Sequence, residues 1–240
     1  VKLGKNFLVL FSDDRFLSVS SAELIMEKIR KIVEKKGEAK IGLPTGNTPQ
    51  KIYELLRTDY KDDPVWEKVT LVQLDEYVDA DPLLPESFHY QLKEALVNHV
   101  KLKRFISLNG KAEDKEKERK RYEEEIKNLG ALDLLLLGIG RNGHLAFHEP
   151  GIKTSNLVEI VNLSKETKED NRVNFSQAFT LTLNTILKAE EIILLASGER
   201  KKEIIQKAIL GAVSLDVPAS YLQTHNQTHI FFDRSATGEG

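Results

Sequence analysis

The sequence of 240 residues contains no cysteine and only one methionine and one tryptophan. Without cysteine the chain can form neither disulfides nor thiolate-metal sites, and it has no thiol nucleophile. No segment approaches the roughly 18 consecutive apolar residues that would span a bilayer, and the start of the sequence lacks the apolar core of a signal peptide. These absences predict a cytoplasmic protein without membrane segments.

The sequence also lacks an excess of positive or negative charge. The 35 Lys and Arg residues nearly balance the 37 Asp and Glu residues, so the formal net charge is -2. Such a chain offers no general attractive field for nucleic acid, and an anionic ligand must be held by local groups. We therefore predict a small-molecule ligand. The length suits a single domain, which we assign to residues 1–234, and we expect residues 235–240 to be a disordered tail.

Short apolar runs alternate along the chain with segments of helical periodicity. Strands are predicted at residues 7–11, 39–43, 69–74, 104–108, 134–137, 179–183 and 191–196, and residues 218–222 and 228–233 complete the pattern. Helices are predicted at 18–36, capped by Ser20 or Ser21, at 49–56, 85–98 and 112–128, and from the segment around Lys201 to about residue 210. Residues 153–177 are poorly patterned and are interpreted as a lid or a connection. The alternation predicts an α/β fold with a mostly parallel sheet and helices on both faces.

The most informative stretch is residues 134–151, where four leucines run directly into a glycine-rich loop with His144 and Glu149. The leucines predict a strand buried on both faces, and ligands of parallel sheets bind beyond the carboxyl ends of the strands. Each loop residue alone has an ordinary explanation, such as the turn dipeptide Asn142-Gly143. Their concentration after a buried strand predicts a functional site.

A second loop, residues 44–49, follows the predicted strand 39–43. Thr45, Gly46, Asn47 and Thr48 supply hydroxyl groups and accessible backbone N–H groups, and Pro49 suits the first position of the next helix. Because the first N–H groups of a helix lack partners, this arrangement is typical of an anion site, although a plain capped turn is equally consistent with it.

Charged residues follow two further predicted strands. Asp75 and Glu76 come at the end of strand 69–74, and both are candidates for a general base. Lys201 falls in the first turn of a helix, where the helix dipole opposes a cation. An anion bound beside Lys201 would explain this position, and a solvated lysine side chain is the alternative.

Together these motifs resemble the amino-sugar-6-phosphate deaminase/isomerase family. The similar segments are GlyLeuProThrGlyAsnThrPro (42–49), LeuAspGluTyrVal (74–78), ProGluSer (85–87), GlyIleGlyArgAsnGlyHisLeuAlaPheHisGluProGly (138–151) and SerGlyGluArgLys (197–201). The resemblance covers nearly the whole chain and implies a modified Rossmann-like fold, shared with 6-phosphogluconolactonases. The AspGluTyr and PheHisGluProGly segments are similar to the deaminase branch.

The resemblance implies that an amino-sugar 6-phosphate and water give a ketohexose 6-phosphate and ammonia, without a metal or redox cofactor. It implies that Asp75 moves a proton from C2 to C1, that His144 assists ring opening, and that Glu149 supports His144. The phosphate-binding residues that it implies are Lys201, Thr45, Gly46, Asn47 and Thr48, with Arg172 near a second phosphate-binding position.

Asn142 departs from the pattern, because glucosamine-6-phosphate deaminases usually carry aspartate there. Asparagine lacks the negative charge that would favour a protonated His144. Together with ValProAlaSerTyrLeu (217–222), it is similar to galactosamine-6-phosphate members, so a change of sugar epimer and a loss of activity are both open. The chain lacks the C-terminal extension of hexameric, allosterically regulated members, and we expect a monomer or a small homo-oligomer.

Two other functions are considered. The first is 6-phosphogluconolactonase activity, against which the residues 75–77 and Glu149 weigh. The second is a non-catalytic sugar-phosphate sensor, which would normally carry a DNA-binding helix-turn-helix module, and none is visible in the sequence.

Overall fold

The computed structural model describes residues 2–3 and 6–237. Its strands are β1 (Lys2–Leu3), β2 (Asn6–Phe11), β3 (Ala39–Leu43), β4 (Val69–Gln73), β5 (Asp75–Tyr77), β6 (Arg104–Ile106), β7 (Leu134–Gly138), β8 (Val158–Asn162), β9 (Gln177–Leu181), β10 (Glu191–Ala196) and β11 (Thr228–Asp233). Its helices are α1 (Asp14–Lys36), α2 (Gln50–Asp59), α3 (Phe88–Ala95), α4 (Lys115–Leu129), α5 (Lys165–Asn171), α6 (Leu183–Ile186), α7 (Lys202–Leu210) and α8 (Arg234–Thr237). None of the helices in these ranges is long and apolar enough to cross a membrane.

The larger sheet has the order β1-β2-β11-β10-β7-β3-β4-β6. All neighbours from β2 to β6 are parallel, and only β1 is antiparallel to its neighbour. The chain runs outward from β3 through β4 to β6, then returns to β7 on the other side of β3 and continues to β10 and β11. The direction of winding therefore reverses between β3 and β7, where a ligand crevice is expected in such a sheet.

The four leucines of β7 show why the sheet carries helices on both faces. Leu134 and Leu136 pack into the hydrophobic cluster formed with α1, α2 and α3. Leu135 and Leu137 point to the opposite face and join the cluster formed with α4, α6 and α7. All four side chains are fully buried, and each contributes about 1.5–3 kcal/mol to folding. The predicted α/β fold is confirmed. The loop after β7 begins at a strand that is packed on both faces.

A second, antiparallel sheet of order β5-β9-β8 lies beside the first. Its strand β8 and the helix α5 both fall in residues 153–177, which the sequence analysis described as poorly patterned. That description is wrong for these two elements. The strand was missed because it is short, and α5 was missed because Thr167 is its only buried residue.

Helix α1 begins before its predicted start. The Asp13 carboxylate accepts hydrogen bonds from the backbone N–H groups of Arg15 and Phe16, both at 3.0 Å, and so caps the helix. The predicted caps, Ser20 and Ser21, lie inside the helix instead. Serine is a common cap, but the earlier aspartate satisfies the free N–H groups first.

Other elements also differ from the prediction. Pro49 is the cap of α2 and not its first residue. The predicted helix 85–98 is divided into α3 and a separate 3₁₀ turn, Val97–His99. Residues 218–222 lie in a 3₁₀ helix, Pro218–Thr224, and not in a strand.

Part of the expected disordered tail, residues 235–240, belongs to the folded structure. The Asp233 carboxylate accepts hydrogen bonds from the Ser235 hydroxyl at 2.7 Å and from the Ala236 N–H at 2.9 Å. These bonds start helix α8, and Ala236 is buried. Residues 238–240 lie outside the described residues.

Candidate active site

Four neighbouring strands deliver the predicted motifs to one edge of the sheet. In the order β10, β7, β3 and β4, their carboxyl ends lead to Lys201, to the loop with His144 and Glu149, to residues 44–49, and to Asp75. Adjacent strands lie about 4.8 Å apart, so motifs on neighbouring strands are close in space. The structure thus collects these segments at the point where the winding reverses.

Asp75 is the first residue of β5 and pairs with Thr180 of β9. Its side chain is buried, with 7% of the residue exposed. No hydrogen bond to its carboxylate is found among the described residues. Burial raises the pKa of Asp75 well above its ordinary value, and the neighbouring Glu76 charge raises this pKa further. Asp75 therefore has the properties of a strong, water-shielded base when it is ionised.

Glu76 has the opposite surroundings. It is fully buried, and its carboxylate accepts five hydrogen bonds. The donors are Ser87 Oγ (2.7 Å), His89 N (2.8 Å), Phe88 N and Tyr77 N (both 2.9 Å) and Gln73 Nε2 (3.1 Å). Three of these donors belong to the start of α3, so Glu76 satisfies the free groups at that helix end. Residue type and position left both carboxylates open as bases, and the family resemblance implied Asp75; in the structure Glu76 makes this anchoring contact.

His144 is held in the loop after β7 by its backbone and by packing. The backbone N–H of Gly140 donates to the carbonyl of His144 at 3.0 Å, and the N–H of His144 donates to Asn142 Oδ1 at 3.1 Å. The imidazole lies directly on Gly140, where a Cβ atom would come within 2.4 Å of ring nitrogens. Burial lowers the pKa of His144 to about 4, although Glu149 opposes this shift. The ring is therefore neutral near neutral pH.

Glu149 connects this loop with α5. Its carboxylate accepts hydrogen bonds from Asn142 Nδ2 at 2.7 Å, from Thr167 Oγ1 at 2.5 Å and from the Ser164 backbone N–H at 3.3 Å. His144 Nδ1 lies 3.9 Å from Glu149 Oε2, which is beyond hydrogen-bond distance. The structure thus brings together the predicted residues Asn142, His144 and Glu149.

Sequence reasoning missed Ser164 and Thr167. The available signal was a serine three residues before threonine at the start of a charged segment, which is a helix N-cap pattern. Ser164 does cap α5, since its Oγ accepts from the N–H of Thr167 at 3.1 Å. The contact of Thr167 with Glu149 is long-range, and no local pattern indicates it.

The loop 44–49 leads from β3 into α2. Gly46 has φ 101°, a left-handed conformation that favours glycine, and its carbonyl accepts a hydrogen bond from the Gln50 side chain. No side chain caps the first turn of α2, so its N–H groups lack a side-chain partner. Thr45 and Thr48 are half-buried, while Gly46 and Asn47 are exposed. The loop is open to an anion at a helix N-terminus.

Lys201 lies at the N-cap of α7 and reaches across to the neighbouring motif. Its Nζ donates to the carbonyl of Ile139, directly after β7, at 2.6 Å. Burial lowers the pKa of Lys201, while the nearby Asp170 charge raises it. Asp170 also forms an ion pair with Arg141, with Nε and Oδ2 2.9 Å apart.

Arg172 lies on the surface at the end of α5. It ends α5 in a left-handed conformation with φ 54° and is exposed. The hydrogen bonds and ion pairs of the described residues do not connect it with Lys201 or with residues 45–48. It lines a surface cleft with Lys165 and Lys168 instead.

The side chains at this sheet edge are those of a site for acid–base chemistry. A shielded carboxylate, a neutral imidazole with a second carboxylate 3.9 Å away, and a lysine at one sheet edge suit proton transfer on a small anionic substrate. Within residues 2–3 and 6–237, no group of three or more histidine, aspartate or glutamate side chains is arranged to hold a metal ion.

Comparisons with known proteins give the family. The family described as glucosamine-6-phosphate isomerases/6-phosphogluconolactonase matches residues 12–231, and the chain belongs to this family. A glucosamine-6-phosphate deaminase of Halalkalibacterium halodurans is 37% identical, with 92% of each chain covered. Another, of Halothermothrix orenii, is 39% identical, with 84% of this chain and 88% of the relative covered. The family resemblance of the sequence motifs is thereby confirmed.

Solved structures agree with this assignment. The structure of a monomeric glucosamine-6-phosphate deaminase has a TM-score of 0.90 and 32% identity, and the comparison covers 98% of this chain and all of that chain. The 6-phosphogluconolactonase of Leishmania guyanensis has a TM-score of 0.82 over 98% of each chain, but only 20% identity. The second similarity shows the shared fold alone.

Proposed function

We propose that this protein is an amino-sugar-6-phosphate deaminase that converts glucosamine 6-phosphate, or its galacto epimer, and water to the ketohexose 6-phosphate and ammonia. The observation that carries this proposal is the buried Asp75 carboxylate, to which none of the described residues donates a hydrogen bond, at the same sheet edge as the His144–Glu149 loop. The similar proteins described as glucosamine-6-phosphate deaminases support the same reaction.

Asp75 acts as the base in this proposal. Ring opening exposes an aldehyde at C1, which makes the C2 proton acidic, and the Asp75 carboxylate removes this proton. Return of the proton to C1 leaves an imine at C2, and water hydrolyses this imine to the ketone and ammonia. Because burial raises the pKa of Asp75, its ionised form is a stronger base than an exposed aspartate. Because Asp75 is shielded from water, the proton that it takes from C2 remains available for C1.

His144 serves ring opening, which needs a group that exchanges protons with sugar oxygens. Its burial keeps it neutral at physiological pH. Asn142 suits this site because its amide donates to Glu149 at 2.7 Å. An aspartate in the same position would direct a second negative charge at Glu149, so we propose that Asn142 belongs to a working site.

The substrate phosphate is held by Lys201 and by the loop residues Thr45, Gly46, Asn47 and Thr48. Two observations support this phosphate site. No side chain caps the first turn of α2, and Lys201 Nζ donates to the carbonyl of Ile139, directly after β7. Remote binding of the phosphate would orient C2 against Asp75. Arg172 is proposed as a second phosphate ligand, which requires a movement of the end of α5.

The test is ammonia release from glucosamine 6-phosphate and galactosamine 6-phosphate in separate reactions. Release from either substrate supports the proposal and identifies the epimer. No release from both, together with hydrolysis of 6-phosphogluconolactone, would favour a lactonase. Sugar-phosphate binding without any turnover would favour a sensor.

The phosphate site has its own test. Lys201→Ala should raise KM for the active substrate about 10- to 100-fold with a smaller change in kcat, because a charged hydrogen bond is lost. Lys202→Ala is the matched control, since no ion pair or hydrogen bond of its side chain is found in the described part of the chain. An unchanged KM for the Lys201 variant would place the phosphate elsewhere.

We propose further that the enzyme works on free sugar phosphate in the cytoplasm, without nucleic acid, as a monomer or small homo-oligomer. The similar monomeric deaminase supports a small assembly. Light scattering at the assay concentration tests this, and a large assembly would contradict it.

A further inference from the structure

Thr167 lies between the two groups that the proposed mechanism couples. His144 Nδ1 and Glu149 Oε2 are 3.9 Å apart and do not form a direct hydrogen bond. The Thr167 hydroxyl is 2.5 Å from Glu149 Oε1 and 3.4 Å from His144 Nδ1. Thr167 is only 1% exposed, so water does not compete for these contacts.

We propose that Thr167 is a positioning residue that relays a hydrogen bond from His144 to Glu149 and fixes the imidazole proton on Nδ1. The consequence is a neutral ring whose Nε2 atom carries the free lone pair. This inference rests on the proposed function for its kinetic consequences, while the position of the ring proton is a property of the protein itself.

The number of available protons sets the direction of these hydrogen bonds. A hydroxyl has one proton, and the short contact with the Glu149 carboxylate uses it because an ionised carboxylate only accepts. Ser164 Oγ donates to the same threonine oxygen at 2.9 Å. His144 Nδ1 can therefore join Thr167 Oγ1 only as a donor. A neutral imidazole has a single N–H, so Nε2 must be the acceptor.

The surroundings keep Thr167 in this place. Its backbone N–H is bonded to the cap Ser164, and Ser164 also contacts Glu149. Further along α5, Asp170 forms its ion pair with Arg141 of the loop after β7. The helix is thus attached to the loop on both sides of Thr167, and the hydroxyl has little freedom to turn away.

A free Nε2 lone pair gives His144 a defined direction of proton transfer. It can accept a hydroxyl proton of the cyclic sugar, while the Nδ1–H group and the carboxylate beyond Thr167 stabilise the imidazolium that forms. No hydrogen bond to Nε2 is found among the described residues, so this atom remains available to a substrate.

The kinetic experiment compares Thr167→Val, which keeps the shape and loses the hydroxyl, with Thr167→Ser, which keeps the hydroxyl. We expect the valine variant to lower kcat about 10- to 100-fold with little change in KM, because one charged hydrogen bond is lost. We also expect it to shift the pH profile of kcat. The charged groups that act on His144, namely Glu149, Lys201 and Asp170, are unchanged in this variant. The serine variant should restore most of the rate.

Thr185→Val is the matched control. Thr185 is also buried, and its hydroxyl donates to the carbonyl of Leu157 at 2.7 Å, with no contact to His144 or Glu149. This variant should lower the melting temperature and leave the pH profile unchanged. A wild-type rate and profile in Thr167→Val, or an equal profile shift in Thr185→Val, would overturn the relay.

A measurement without substrate separates this inference from the proposed function. The ¹⁵N NMR shifts of His144, assigned by comparison with His144→Gln, report which ring nitrogen carries the proton. We expect protonated Nδ1 in the wild type and in Thr167→Ser, and a mixture of both forms in Thr167→Val. Protonated Nε2 in the wild type would overturn the inference, whether or not the enzyme releases ammonia.

Discussion

Asp75 and Glu76 are adjacent in the chain and belong to the same short strand, but their surroundings are opposite. Both are buried, yet Glu76 accepts five hydrogen bonds and Asp75 accepts none that is found in the described part of the chain. A buried carboxylate that is fully bonded stabilises structure, while a buried carboxylate without partners is kept reactive at a cost in stability.

Successive side chains of a strand point to opposite faces, so Asp75 and Glu76 meet different neighbours. Glu76 meets the free N–H groups of α3. Asp75 lies close enough to Tyr53 and Tyr122 for its charge to contribute, after burial, to raising the pKa of both phenols. Their hydroxyls donate instead to the carbonyls of Pro44 and Gln73, so neither is available to Asp75.

The largest effect is expected for Asp75→Asn. Loss of the base should lower kcat about 10²- to 10⁴-fold in the ammonia assay. The pKa of Asp75 is raised in the folded state, so its charge costs folding stability progressively as pH rises from the ordinary aspartate pKa through the folded-state pKa. At neutral pH the variant should therefore be more stable, by about 1 kcal/mol, in thermal unfolding. Unchanged turnover would remove Asp75 as the base.

Glu76→Gln should show the opposite result. Glutamine has an NH₂ group in place of one carboxylate oxygen, and this group would face hydrogen-bond donors instead of accepting from them. The free energy of unfolding should therefore fall by about 2–3 kcal/mol. Turnover per folded molecule should change far less than in Asp75→Asn. Denaturant unfolding and the ammonia assay on the same sample check both statements. A stable, inactive Glu76→Gln protein would break the comparison.

The smallest effect is expected for Ser87→Ala. This change removes a donor to Glu76 at 2.7 Å and the cap of α3, while the other four donors remain. We expect a loss of about 1 kcal/mol in unfolding free energy with normal kinetics. A loss as large as that in Glu76→Gln would mean that the serine, and not the carboxylate, anchors the helix.

The sequence predicted the parts of the fold that depend on local patterns. The leucines of β7 indicate a strand buried on both faces because no polar residue interrupts them, and parallel topology then places the strand ends together. The residues Asp75, His144 and Lys201 were found because each directly follows, or lies close after, such a strand. Local patterns and fold rules were sufficient for these features.

Features that depend on distant contacts could not be predicted in this way. Helix α5 has no apolar stripe, and Thr167 is important through its contacts with His144 and Glu149, 23 and 18 residues earlier in the chain. Residue type and position alone do not distinguish Asp75 from Glu76 until the position of α3 is known, although the family resemblance implies Asp75. These distinctions come from packing between elements, which periodicity does not contain.

The central claim is that a water-shielded Asp75 carries one proton from C2 to C1 of the substrate. The most direct test uses the active amino-sugar 6-phosphate with deuterium at C2, in ordinary water, and measures deuterium at C1 of the ketohexose 6-phosphate by mass spectrometry. Because Asp75 is only 7% exposed, we predict that part of the first product formed carries deuterium at C1. Product formed at the normal rate with no deuterium at C1 would contradict a shielded base.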